Sequence, residues 1–401
     1  MTLTLNEKFL TLQEEVGTEL LEREDIIETG ILALISAKHH FQLGTPGVAK
    51  SALIERIVAR IGGFPEGGYF HYLLDKFTKP EELFGPPDMQ ELMDNKRLVR
   101  VTDYALPSAY VAFLDEIFKG NSSVLNALLL AMNEREYNTD RGPQPIPLIS
   151  IFSASNELPE SRELGAMWDR LHIRHWVENL QSGDTFTQML TADWEDDPEK
   201  IITLEDIEAA RIESKKVVLG DNMLGELYDL RLLMRSEGLE PSDRRWRHAV
   251  DVIKAAAWMD GATSAEDRHA RILQHMLWDN DETRRKVQNM CLDLADPLER
   301  RVQALYDELG NYQKQWRDAV AREESEQKRQ GLSSELWKKA EKHKRAAKGL
   351  QREASDEGRT LPSAAALIGN VDGFIKELLQ EGFSLDVEEL LAGRGTKGGN
   401  E

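Results

Sequence analysis

Residues 38–52 read KHHFQLGTPGVAKSA, and the rest of the chain is organised around them. An apolar run ending at Leu43 leads into Gly44-Thr45-Pro46-Gly47-Val48-Ala49-Lys50-Ser51. Beyond it Leu53, Ile54, Ile57 and Val58 recur at helical spacing. Strand, glycine-bearing loop, Lys-Ser and helix form the setting of a phosphate-binding loop. Gly44 and Gly47 permit backbone angles that turn several N–H groups toward one anion, and the helix start adds its dipole. Lys50 is expected to reach the β- and γ-phosphates of a nucleotide, and Ser51 to hold Mg²⁺ through its hydroxyl. Ala49 stands where Gly usually precedes the lysine. It is tolerable there if residue 49 is already helical and needs no positive φ. The competing reading is an ordinary strand–turn–helix that matches by chance.

The second strong stretch is AYVAFLDE, residues 109–116. Its continuous apolar run predicts a strand buried on both faces, ending in two carboxylates. Ligands of open α/β sheets sit beyond the carboxyl ends of strands. Asp115 is therefore expected beside Ser51, completing the Mg²⁺ shell through water, with Glu116 orienting and deprotonating an attacking water. A helix-capping Asp-Glu pair would leave the preceding apolar run unexplained. Leu148–Phe152 reads as a further strand of the same sheet, and Asn156 beyond it could position that water or simply cap a helix. Residues 122–134 predict a helix capped by Ser122, residues 136–147 a hairpin, and residues 173–176 a last strand.

Composition narrows the class. The 401 residues allow two or three domains, and a net charge of −21 opposes binding to nucleic acid or anionic membrane. Cys291 is the only cysteine, which excludes an intramolecular disulfide and a cysteine-based zinc site. No apolar run approaches the ~18 residues of a membrane span, so a cytoplasmic protein is expected. His39 and His40 read as structural residues, not ligands.

Taken together the motifs resemble those of MoxR-family AAA+ ATPases, the RavA-like branch in particular. The likeness is carried by GTPGVAKS (44–51), FTKPEELFGPPD (77–88), YALPSAYVAFLDEIFKGNSSVLNALLLAMNERE (104–136), PLISIFSASNELPE (147–160), MWDRLHIR (167–174), PSDRRWRHAV (241–250) and HMLW (275–278). The resemblance implies an α/β nucleotide-binding core over residues 1–185, an all-α lid over 186–290 and a C-terminal helical arm over 291–401. It implies a homo-oligomeric ring, usually of six, that binds ATP and Mg²⁺. Gly44 to Ser51 and Asp115 would hold the nucleotide, and Ser51 and Asp115 the metal. Glu116 would be the catalytic base, Asn156 the sensor of the γ-phosphate and Arg170 the arginine finger acting on a neighbour's ATP, with Arg174 its rival. Arg244, or Arg245 one residue on, would be a lid sensor acting in cis.

The heptad-spaced apolar residues of 298–319 and 336–354 predict an antiparallel helical hairpin joined near Gly331. Residues 355–370 read as a linker, Val371–Leu379 and Leu385–Leu391 as short helices, and the last nine residues as a disordered tail. The family likeness implies a ring ATPase that remodels or chaperones a partner protein, with proteins bearing a von Willebrand factor A domain as the candidate partners. A regulatory or scaffold oligomer in which nucleotide binding controls assembly is the alternative. A DNA translocase predicts a basic pore hairpin, yet residues 134–147 hold Glu134, Glu136 and Asp140 beside Arg135 and Arg141.

Overall fold

The computed structural model describes residues 3–159, 162–191, 198–322, 326–356, 358 and 360–383. The chain divides into two compact units, residues 1–295 and 296–401.

In the first unit, strands β1 (His40–Leu43), β2 (Tyr69–Leu73), β3 (Val111–Asp115), β4 (Ser150–Ser155) and β5 (Ile173–Trp176) form one sheet in the order β2-β3-β4-β1-β5. All four pairings are parallel, so the carboxyl ends share one edge. β1 and β4 are buried at every residue and β3 at every residue but Asp115. Burial on both faces is why these strands read as unbroken apolar runs. Helices α1 (Leu5–Glu19), α2 (Glu24–Ser36), α3 (Lys50–Ala59), α4 (Ser122–Glu134) and α5 (Arg162–Trp168) belong to this core. Asn121, not Ser122, caps α4: its Oδ1 accepts from the N–H groups of Ser123 and Val124 at 3.1 and 3.2 Å. Its amide also donates to the Thr78 carbonyl. The expected hairpin forms from Glu136–Thr139 and Gly142–Pro145.

Helices α6 (Leu204–Ser214), α7 (Asp221–Ser236), α8 (Asp243–Met259) and α9 (Asp281–Ala295) complete the unit. Ser242 caps α8, accepting from the Arg245 N–H at 3.2 Å. Phe9 of α1 meets Trp258 of α8 edge to face, with ring centroids 5.5 Å apart.

The second unit is a three-helix bundle of α10 (Pro297–Ala321), α11 (Glu326–Asp356) and α12 (Pro362–Phe383). Its first two helices are the expected hairpin pair, while the position of their joint and the linker are corrected. Gly331 lies inside α11, and α12 is one helix through residues read as linker. Ala364, Leu367, Val371, Phe374 and Leu378 are its buried stripe, so small helix-forming residues had passed for linker composition. The Ser333 hydroxyl donates to the Leu378 carbonyl at 2.8 Å, tying α12 to α11. The expected helix at 385–391 and the tail lie outside the described residues. Among the described residues no helix is long and apolar enough to cross a membrane.

Six of the nine histidines gather in two ring clusters that join the sheet to the helices beside it. His172 stands between His39 and His248, with centroids at 5.7 and 4.3 Å. His175 stands between His40 and His275, at 5.3 and 4.0 Å. The Thr29 hydroxyl lies 2.7 Å from His175 Nε2 and 3.2 Å from His40 Nε2. No metal-binding group of three or more His, Cys, Asp or Glu occurs among the described residues. Burial lowers the pKa of His40 to about 3 and of His248 and His275 to about 4. The unfolded chain takes up these protons near 6.5 while the native one refuses them, so stability is lost as pH falls from 6.5 toward 4. The melting temperature is expected to fall through that window, and His275→Gln to flatten the fall. A melting temperature constant across the window would show that the rings are not held neutral.

Candidate active site

The phosphate-loop residues sit where β1 meets α3. Thr45, Pro46, Gly47 and Ala49 are exposed, while Val48 is buried and anchors the loop. Gly44 donates its N–H to the Ser155 carbonyl at 3.2 Å, and a Cβ there would lie 2.5 Å from the Val177 carbonyl oxygen. Gly47 has φ +88° with open space around its missing Cβ, so its requirement is conformational. Ala49 has φ 61° and ψ 35°, which corrects the expectation of a helical residue. The left-handed region costs a non-glycine residue about 1–2 kcal/mol, and Ala49 takes it as the residue that caps α3.

Three predicted residues are joined in one chain of contacts. Lys50 Nζ donates to Asn156 Oδ1 at 2.7 Å and to the carbonyls of Gly44 and Thr45 at 2.5 and 3.1 Å. Asn156 Nδ2 donates to Glu116 Oε1. An amide with an ammonium on one side and a carboxylate on the other has only one sensible orientation. Glu116 has φ 52° and is nearly buried. Its Oε2 lies 3.2 Å from Lys119 Nζ but accepts no well-formed hydrogen bond. Asp115 is the last residue of β3, and its Oδ1 accepts the Glu116 N–H at 2.9 Å. Burial lowers the Lys50 pKa, while Asp115 and Glu116 nearby oppose the shift.

These residues fit a Mg²⁺-bound polyphosphate. The Lys50 ammonium is satisfied only by neutral oxygens, so phosphate oxygens could replace them. The Ser51 hydroxyl, in the first turn of α3, and the Asp115 carboxylate would hold the metal.

The predicted arginines form a separate group. Arg170 donates from Nε to Asn133 Oδ1 at 2.8 Å and from Nη1 to the Ala166 carbonyl at 2.6 Å. Burial, and then the charge of Arg244, lower its pKa. Asp169 is the anion beside them: its carboxylate accepts the Ser242 hydroxyl at 3.0 Å and lies 3.9 Å from Arg244 and 3.7 Å from Arg245. Among the described residues, no hydrogen bond or ion pair joins Arg170 or Arg244 to Lys50, Asn156 or Glu116.

Two neighbouring arginines are structural instead. Arg174 is wholly buried, stacked 3.8 Å over the Trp168 ring, and donates to the carbonyls of Leu171, Trp168 and Trp278. Arg245 is buried and donates to Asp279 Oδ1 at 2.8 Å. Asp279 Oδ1 also accepts from Trp168 Nε1 and Arg174 Nη1, each at 3.1 Å. Burial opposes the Asp279 charge, yet Arg245 and Arg174 outweigh it and lower the pKa. Of the residue pairs left open by sequence, the structure leaves Arg244 exposed and Arg170 half-buried, and commits Arg174 and Arg245 to packing. Sequence reasoning missed Asp169, Asn133, Lys119 and Asp279. Only Asp169, beside the candidate finger, and Lys119, three residues past Glu116, carried a local signal.

Residues 7–216 match the family described as the MoxR domain in the MoxR–vWA–beta-propeller ternary systems, and residues 222–291 match an AAA lid domain. Two uncharacterized proteins of Methanocaldococcus jannaschii are similar. One is 40% identical over 276 residues, covering 69% of this chain and 73% of that protein. The other is 37% identical over 295 residues, covering 74% and 76%. A structural protein of the Acidianus two-tailed virus is 30% identical over 234 residues, covering 56% of this chain and 37% of the viral one. A solved structure from Cytophaga hutchinsonii, provisionally described as an ATPase, superposes with a TM-score of 0.58 at 16% identity, covering 72% of this chain and 94% of that one. That last likeness concerns the fold.

Two outcomes are expected from substitution. Ala49→Gly relieves the left-handed strain but loosens the unfolded chain, for a net gain of up to about 1 kcal/mol, read as a raised melting temperature. Arg174→Ala leaves Asp279 and three carbonyls short of a donor and is expected to cost about 3–5 kcal/mol, whereas Arg170→Ala leaves the melting temperature within a few degrees. Equal melting of the two variants would contradict the division drawn between them.

Proposed function

The chain belongs to the MoxR family of AAA+ proteins, and on that premise we propose that it hydrolyses ATP to ADP and phosphate and uses the cycle to remodel a partner protein. The observation that carries this reading is the Lys50–Asn156–Glu116 chain of contacts at the carboxyl edge of the sheet.

Bound ATP would take Lys50 from its loop carbonyls onto the β- and γ-phosphates. Asn156 would then exchange the lysine for a γ-phosphate oxygen and keep its other edge on Glu116. Glu116 accepts a proton from water as the water oxygen attacks the γ-phosphorus and the bond to the bridging oxygen of ADP breaks. Ser51 and, through water, Asp115 would hold Mg²⁺, which would neutralise phosphate charge.

Arg170 is assigned to the nucleotide of a neighbouring subunit and Arg244, as a lid sensor, to that of its own chain. Among the described residues neither has a hydrogen bond or ion pair to Lys50, Asn156 or Glu116. A cation delivered by a neighbour would stabilise the transferring phosphoryl group only in an assembly, a ring of six on the family's pattern. Within the family, the motifs from 44–51 to 275–278 taken together are the ground for a RavA-like reading, which the family match does not reach. The match to MoxR domains of vWA–beta-propeller systems supports a client with a von Willebrand factor A domain.

ATP turnover measured against protein concentration, with mass determined alongside, tests the reading. Turnover per chain should rise with assembly. Glu116→Gln and Arg170→Ala should each bind ATP and lose turnover by about 10²-fold or more. Full-rate hydrolysis by monomer would sink the trans assignment; ATP binding without turnover in any assembly state would favour the scaffold reading.

A further inference from the structure

The chain is acidic almost entirely through its first unit: residues 1–295 hold 51 Asp and Glu against 32 Lys and Arg. Helix α11 departs sharply from that balance. Between Leu336 and Arg352 it carries seven Lys and Arg and one acidic residue, Glu341.

These cations are not scattered. Lys338, Lys342, Arg345, Lys348 and Arg352 follow one another by four, three, three and four residues, which places them on one helix face over about 21 Å. All five are exposed. The opposite face, Leu336, Ala340, Ala347, Leu350 and Ala354, is buried in the bundle. The other two cations are already occupied: Lys339 pairs with Glu335 at 2.6 Å and Lys344 with Asp372. For the five on the stripe, no ion pair is found among the described residues. The stripe ends at a cleft of about 560 Å³, walled by Lys348 and Arg352 with Gln351, Ser355 and Thr360.

A solvated face of a helix gains from alternating charge signs, and five like charges on one stripe repel each other in the absence of a partner. We propose that this face of α11 binds a short Asp/Glu-rich segment of a partner protein. The rise along the stripe is about 4.5–6 Å per step, close to the ~6.6 Å between same-side residues of an extended peptide. Acidic side chains on one edge of such a segment would meet the cations in turn, and the cleft would receive its end. A long polyanion such as nucleic acid is disfavoured because it would continue beyond the stripe into the field of a chain with net charge −21. The proposal does not depend on ATP turnover.

The test uses the full chain and a fluorescein-labelled 14-residue peptide of alternating Glu and Ser, followed by anisotropy at about 0.15 M salt. Saturable binding of one peptide per chain is expected, weakening as salt rises. Lys338→Glu, Arg345→Glu and Arg352→Glu together should weaken it at least tenfold, with melting temperature and ATP turnover unchanged. The matched reversal of Lys314 and Arg317 on α10 and of Arg322 at its C-terminal cap should leave it within twofold. The proposal is overturned by no binding to the unaltered chain or by equal loss in both triple variants. Tighter binding of a 14-nucleotide single-stranded DNA overturns it too.

Discussion

An amide set between an ammonium and a carboxylate is the contact on which this molecule depends. Strand order makes it unavoidable. The phosphate loop leaves β1, the acidic pair ends β3, and β4 runs between them. Neighbouring strands lie about 4.8 Å apart, so groups at the ends of β1 and β3 are separated by about twice that. Only a side chain at the end of β4 can touch both, and Asn156 does so with each of its two polar atoms. A carboxylate there would attract Lys50 and repel Glu116; an ammonium would do the reverse. The amide serves both because its two ends differ.

A second constraint holds the α8 end against the sheet. Asp279 and Asp169 are two carboxylates serving two sets of arginines, and burial divides the labour. Arg174 is sunk among carbonyls and an indole ring, and Arg245 is buried against Asp279, so both cations are fixed. Arg170 and Arg244 remain at the surface around Asp169, with their charge available. The Ser242 hydroxyl caps α8 and donates to Asp169, so the start of that helix and the turn bearing Arg170 share one hydrogen-bonded centre. Any change of angle at α8 must pass through the place where the exposed arginines sit.

Much of this was legible in the chain. The buried strands announce themselves because parallel sheets covered on both faces need uninterrupted apolar runs, and Lys50, Asp115, Glu116 and Asn156 all stand at the ends of such runs. What escaped depends on contacts between distant residues. Nothing in MWDRLHIR says that Arg170 is near the surface and Arg174 sealed under Trp168, because Asp279 is more than a hundred residues away. The left-handed angle of Ala49 escaped for a different reason: alanine is the strongest helix former, and local propensity argued against what the loop imposes. The second unit misled through composition. A run of small residues at 363–366 reads as a spacer until its spacing is set against the seam of the first two helices.

The two glycines of the phosphate loop are required for unlike reasons, and the difference reaches into stereochemistry. At Gly47 the obstacle is an angle: space is open, and only the hand of the amino acid is wrong. A mirror-image alanine would settle there more comfortably than glycine itself, since it would prefer the angle glycine merely permits. At Gly44 the obstacle is an atom, the Val177 oxygen at the end of β5, lying where an L side chain would begin. The loop and the last strand of the sheet therefore touch without any space between them, and the identity of residue 44 is set by a strand more than 130 positions further along the chain.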